Sequence, residues 1–264
     1  MKLPHTQKAL EIRTVKSSSS LLDSYVGEEV WDAATLFCAQ LCVSSALQKD
    51  IMTDCTSCLP LCDLRNKRVL EIGAGCGILG MSIAALGAKD VLCTDYIKPV
   101  LENLAFNIEH NLGSISGGSN PRASEDRSCL SSAPLDWRQF ALEDLQEIEW
   151  TNSQWNTDMC DCLDRKANQF EPDIVVGSAL VYSAEGALFC ADTIYHYVSK
   201  IESREAWVLQ MPERPGFHLF LRRLEDLGMT YKCHEISKHI YDLACNEMGS
   251  IKSPRDAFAL YVIK

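Results

Sequence analysis

The stretch Val69-Leu70-Glu71-Ile72-Gly73-Ala74-Gly75-Cys76-Gly77-Ile78-Leu79-Gly80 constrains the fold more than any other. An apolar run enters a glycine loop there and leaves it as a helix. Glycines at alternate positions remove side chains from the turn, so backbone N–H groups can approach a ligand while the helix presents its positive N-terminal end. As a bare turn each glycine would cost roughly 0.5–1 kcal/mol relative to alanine. A ligand cradle in an α/β sheet is therefore the favoured reading.

Two ligands compete for the cradle. Gly75-x-Gly77-x-x-Gly80, with Asp95 closing a second apolar run Asp90–Asp95, satisfies a dinucleotide fingerprint. Read from Glu71, the same loop is Glu-x-Gly-x-Gly-x-Gly, with a carboxylate expected at the strand end, pointing into the ligand region. That carboxylate would repel a pyrophosphate and attract the ammonium and sulfonium of S-adenosylmethionine, so Glu71 favours S-adenosylmethionine. Asp95 suits either ligand, because a carboxylate there accepts from ribose hydroxyls.

A chain of 264 residues, 47% hydrophobic, can bury a full core, and one domain spanning 1–264 is expected. A net charge of −11 opposes polyanions, so neither nucleic acid nor an anionic membrane is an expected partner. No run of about 18 apolar residues offers a membrane span. The 13 cysteines are an odd number with no recognisable secretory leader, which predicts reduced thiols in a cytoplasmic or nuclear setting. Cys55-x-x-Cys58 and Cys160-x-Cys162 lack a second well-spaced pair, so no metal site is expected.

Apolar spacing predicts a helix over 31–47, strands over 68–72 and 90–94, and helices over 78–86 and from Pro99 to Asn111. A strand is expected near 130–135, and 172–177 reads as a buried strand of the parallel type. A helix over 184–201, a strand over 206–211, a helix over 215–227 and a closing hairpin, 229–236 with 257–263, complete the chain. Residues 9–15 alternate like a short strand within an N-terminal extension of about 1–47. Polar insertions are expected at about 113–132 and 151–169. The order implies a mostly parallel sheet with an antiparallel edge strand.

With these parts in order, the chain resembles the class I, seven-β-strand S-adenosylmethionine-dependent methyltransferases. More narrowly it resembles the methyltransferase-like group containing many protein-lysine N-methyltransferases. Trp31-Asp32-Ala33-Ala34 resembles the group's tryptophan-led motif and Glu71 to Gly77 its first motif. Thr94-Asp95-Tyr96 resembles its ribose-binding strand end, and Leu135-Asp136-Trp137 its adenine-contacting segment. Asp173 to Tyr182 resembles the motif after strand four, and Arg214 to Gly228 the last crossover helix. One departure stands out. Ala179 occupies the place, three residues before the motif tyrosine, where members usually carry Asp.

The resemblance implies a doubly wound, Rossmann-like sheet, S-adenosylmethionine as cofactor and a lysine-bearing protein as substrate, with the protein acting as a monomer. It assigns cofactor contacts to Trp31 at the methionine end, Glu71, Gly73, Gly75, Gly77, Asp95, Asp136, Trp137 and Ser178. Tyr182 is the expected catalytic-site residue, lining the acceptor channel. Alternatives left open are a small-molecule N-methyltransferase, a cofactor-binding protein with lost or weak catalysis, and a dehydrogenase.

Overall fold

The computed structural model describes residues 1–14, 30–48, 61–115, 129–145, 165–249 and 251–264. Seven strands form one sheet: β1 (Arg68–Glu71), β2 (Asp90–Asp95), β3 (Cys129–Pro134), β4 (Ile174–Ser178), β5 (Glu205–Gln210), β6 (Tyr231–Glu235) and β7 (Ala259–Ile263). Their order is β3-β2-β1-β4-β5-β7-β6. β1 to β5 are mutually parallel, while β7 runs antiparallel to both β5 and β6. The reversed strand therefore lies one place in from the edge. The order turns back between β1 and β4, and a doubly wound sheet opens its ligand crevice at such a point.

The central strands are apolar on both faces because helices cover both. Alternation divides their side chains between two cores. Val69, Val91, Cys93, Ile174, Val176 and Trp207 pack with α1 (Asp32–Gln48), α2 (Ile78–Ala85), α3 (Lys98–Ile115) and α7 (Lys238–Leu243). Leu70, Leu92, Val175 and Val208 pack with α5 (Ala184–Val198) and α6 (Phe217–Asp226); the single turn α4 (Arg165–Asn168) adds Ala167.

The N-terminal arm departs from expectation. Residues 9–15 were expected as a strand, yet the described part of the arm makes only an isolated bridge between Lys2 and Ala9. Its main chain is held instead by three asparagines one turn apart on α3. Asn111 accepts from Glu11 N (2.8 Å) and donates to Glu11 O (2.7 Å), and Asn107 does the same for Arg13 (2.9 and 3.0 Å). Asn103 also donates to Arg13 O (3.0 Å). The side-chain amides replace a neighbouring strand, so the arm needs no sheet of its own.

Two more boundaries shift. Gly113 lies within α3, so the first polar segment runs only from the end of α3 at Ile115 to the start of β3 at Cys129. The closing strands do not form a tight hairpin, because α7 and a π-helical turn over Ala244–Met248 stand between them. The Ser17–Ser20 run, Gly27 and the pairs Cys55/Cys58 and Cys160/Cys162 lie outside the described residues.

A buried ion network ties the segment after β3 to the α5–α6 layer. Arg223 of α6 donates through Nε to Asp192 Oδ1 (2.7 Å) and through Nη1 to Asp144 Oδ2 (2.5 Å). Asp192 is fully buried on α5 and also accepts from Leu142 N (3.0 Å).

Candidate functional site

β1 ends at Glu71, and the chain then turns through Gly73 (φ 61°), Gly75 (φ 53°) and Gly77 (φ 80°), all in the left-handed region. Only glycine enters that region without steric cost. At Gly73 space is a second reason: a Cβ there would sit 3.0 Å from Leu180 Cδ2 and 3.3 Å from the Trp137 ring. The loop is fixed to the next strand, because Ala74 N donates to Thr94 O (2.8 Å) and Gly75 N to Asp95 Oδ2 (3.0 Å). Asp95 Oδ1 accepts from Tyr96 N (2.8 Å) and Ile97 N (3.3 Å). Oδ2, with one donor, keeps acceptor capacity for a ligand hydroxyl.

A pocket opens over this loop at the β1/β4 turning point. Its lining includes Gly73 to Cys76 from the loop, Asp95 and Tyr96 from the end of β2, Leu135 and Trp137 after β3, Ser178, Ala179 and Tyr182 from the end of β4 and beyond, and Trp31 before α1. Of the sequence-chosen residues it thus brings together Trp31, Gly73, Gly75, Asp95, Trp137, Ser178 and Tyr182. Tyr96 and Leu135 line it too; both lie within the ribose-binding and adenine-contacting segments of the sequence, although neither is assigned a contact there.

Glu71, Gly77 and Asp136 are placed elsewhere. The expectation that Glu71 points into the ligand region is corrected by alternation: Glu71 shares the face of Val69, beneath α2, and its Oε2 accepts from Gly80 N (3.0 Å). Gly80 must be glycine, since a Cβ would lie 2.5 Å from Glu71 Oε2 and 2.3 Å from Cys93 Sγ. A Cβ on Gly77 would meet Leu104 Cδ1 at 2.3 Å, so this glycine serves the packing of α2 on α3. Asp136, expected to accept from an adenine amino group, instead caps its own turn: it accepts from Arg138 N (3.0 Å) and pairs with the Arg138 guanidinium (2.5 Å).

Burial pushes the Glu71 carboxyl up to about 8, against hydrogen bonds from Cys93 and Gly80 that lower it. The folded protein therefore holds a proton there that the unfolded chain releases near its ordinary value of 4.5. Stability from this group is full below that value and falls as pH rises through about 8, with a slope of at most about 1.4 kcal/mol per pH unit. In urea titrations from pH 5 to 8.5, Glu71→Gln is expected to show the flatter dependence. Equal slopes for the two proteins would refute the assignment.

Within the same pocket the hydroxyls of Tyr96 and Tyr182 are hydrogen-bonded to each other. Burial raises both phenols, Tyr182 to about 12, so both stay neutral near pH 7. Ala179 takes φ 53° and donates its N–H to Leu209 O (2.9 Å). That conformation suits Asp or Asn better than alanine.

Residues 9–149 match the sequence model of a family described as lysine methyltransferase. The chain belongs to the lysine methyltransferase family. The matched region carries β1 to β3, the glycine loop, Asp95 and Trp137. Among curated relatives, the protein N-lysine methyltransferase METTL21A of Danio rerio is 37% identical over 87 residues, covering 33% of this chain and 32% of that protein. The calmodulin-lysine N-methyltransferase of Arabidopsis thaliana is 27% identical over 168 residues, covering 63% of this chain and 44% of that protein. The match thus spans less than half the length of either relative. Among solved structures, a TehB-like S-adenosylmethionine-dependent methyltransferase from Corynebacterium glutamicum is 16% identical, with a TM-score of 0.43 and coverage of 90% and 89%. This lysine methyltransferase family member takes S-adenosylmethionine as its cofactor, and the side-chain-free cradle at Gly73 and Gly75 fits it. That choice rests on family and cradle, not on a carboxylate at Glu71.

Proposed function

We propose that the protein is an S-adenosylmethionine-dependent N-methyltransferase that modifies a lysine side chain of a protein. One observation carries the reading: a single pocket brings the Gly73–Gly75 cradle, Asp95 and Trp137 together with the aromatic rings of Trp31 and Tyr182. Membership of the lysine methyltransferase family supports the acceptor, as do relatives named for lysine methylation.

The cofactor supplies a methyl group on sulfonium. The acceptor nitrogen's lone pair forms the new N–C bond as the C–S bond breaks, its electrons return to sulfur, and the amine's proton leaves to solvent. The protein's part is alignment in a dry pocket. In this reading the Gly73 and Gly75 main chain cradles the cofactor, Asp95 accepts from the ribose hydroxyls, and Trp137 flanks the adenine. Ser178 and Trp31 bound the methionine end. Tyr182 faces the acceptor, where its ring holds a lysine by a cation–π attraction of roughly 0.5–2 kcal/mol. An ammonium with an ordinary pKa near 10.4 sheds its proton more readily once desolvated beside a sulfonium. The reading sets the protein in the cytoplasm or nucleus, as a monomer with reduced cysteines.

Ala179 favours a second reading, a cofactor-binding protein that has lost turnover. Calorimetric titration with S-adenosylmethionine, S-adenosylhomocysteine and NAD, followed by labelled-methyl transfer to extract proteins, tests both. The expected result is binding of the two adenosyl-sulfur ligands and label on lysine. NAD binding alone would remove both readings. Ala179→Asp is expected to fold within about 1 kcal/mol of wild type, since Asp tolerates φ 53° at least as well as Ala. Its transfer rate is expected to match or exceed wild type, whereas transfer seen only in this variant would establish the second reading.

A further inference from the structure

The loop after β5 reaches the mouth of the pocket. Gln210, at the end of β5, accepts from Val181 N (3.1 Å) and donates to Val181 O (3.0 Å), which locks this strand end to the residue before Tyr182. Five residues beyond Met211 the chain turns at Gly216 (φ 84°), where a Cβ would sit 2.3 Å from Ser183 O, the residue after Tyr182. The turn Arg214-Pro215-Gly216 is thereby pressed against the main chain flanking Tyr182.

The Arg214 guanidinium lies 5.4 Å over the ring of Trp31. Trp31 lines the pocket yet keeps 39% of its surface exposed. Arg214 is half-buried, and among the described residues no carboxylate pairs with it. Asp32, the acid next to Trp31, has its Oδ2 taken by Lys252 N and Ser253 N (3.0 and 2.9 Å). Glu213 is exposed and likewise makes no pair with Arg214 among the described residues. A guanidinium attracted to the face of an aromatic ring still has N–H donors to offer a carboxylate.

We propose that Arg214, held on Trp31, is a specificity-determining residue that binds an acidic side chain close in sequence to the acceptor lysine of the substrate. This rests on the proposed methyltransferase reading and names the substrate class: lysines flanked by Asp or Glu. The position favours the substrate over the cofactor. Arg214 is not among the residues lining the pocket, and it follows β5, which β1 and β4 separate from β2 and its Asp95.

The test is labelled-methyl transfer to a degenerate lysine-centred peptide pool and to whole-cell extract, with modified sites mapped by mass spectrometry, for wild type, Arg214→Gln and Arg214→Glu. Calorimetric binding of S-adenosylhomocysteine accompanies each variant as the control for folding and cofactor binding. A charge-assisted contact of this kind predicts about a tenfold lower KM for acid-flanked over amide-flanked lysines in wild type. Arg214→Gln is expected to lose the preference and Arg214→Glu to reverse it toward basic flanks, with cofactor affinity unchanged. Lysines labelled without acidic enrichment would overturn the assignment while leaving the enzyme reading intact. A cofactor affinity reduced tenfold or more by Arg214→Gln, with peptide preference unmoved, would overturn it by giving Arg214 to the cofactor's carboxylate. No transfer by wild type to any peptide or protein overturns both.

Discussion

Gly75→Arg is expected to bind neither S-adenosylmethionine nor S-adenosylhomocysteine, with affinity reduced at least about 100-fold. Gly75 turns at φ 53° and gives its N–H to Asp95 Oδ2 (3.0 Å) on the floor of the pocket. An arginine side chain would fill the space the cofactor takes, and its charge would oppose a sulfonium. The left-handed backbone costs a side-chain-bearing residue only about 1–2 kcal/mol, so the variant folds while failing to bind. Titration calorimetry checks the binding and a thermal melt the fold. Wild-type affinity in a folded Gly75→Arg protein would place the cofactor elsewhere. Asp95→Ala removes the acceptor for three main-chain N–H groups and, in the proposed reading, for the ribose, so it too is expected to weaken binding.

Arg223→Ala is expected to destabilise the protein by about 3–5 kcal/mol, because Asp192 is left charged and buried without its partner. In a domain of this size that lowers the melting midpoint by on the order of ten degrees. The loss belongs to Asp192 rather than to Asp144, whose side chain is 60% exposed and returns to water. Arg223→Met combined with Asp192→Asn is therefore expected to recover much of the loss, since the amide still accepts from Leu142 N and no charge is stranded. A single variant that melts within two degrees of wild type would show that the network contributes little.

The parallel half of the sheet is legible in sequence because β1, β2 and β4 carry apolar runs on both faces that close on Glu71, Asp95 and Gly177-Ser178. The same runs place Gly73, Gly75 and Asp95 at one edge. What escaped depends on direction rather than composition. Glu71 reads as a pocket carboxylate from its distance to the glycines, yet period-two alternation turns it under α2. Asp136 finds its partner two residues on, in Arg138, through a local turn that hydropathy does not register. Asn103, Asn107 and Asn111 look like a solvated helix face, whereas all three are buried against the main chain of the arm. α7 has six residues and one fully buried side chain, Ile240, too little for a helical period to show.

The place of β7 has a consequence for how the chain folds during synthesis. β5 and β6 precede it in sequence but do not pair with each other; each takes β7 as its neighbour. Until residues 259–263 leave the ribosome, the nascent domain carries an open edge on β5, with Trp207, Val208 and Leu209 beside it, and β6 has nowhere to attach. Such an edge is a template for pairing with other chains. The interval between emergence of β5 and emergence of residues 259–263 therefore decides how long the folding intermediate remains open to aggregation.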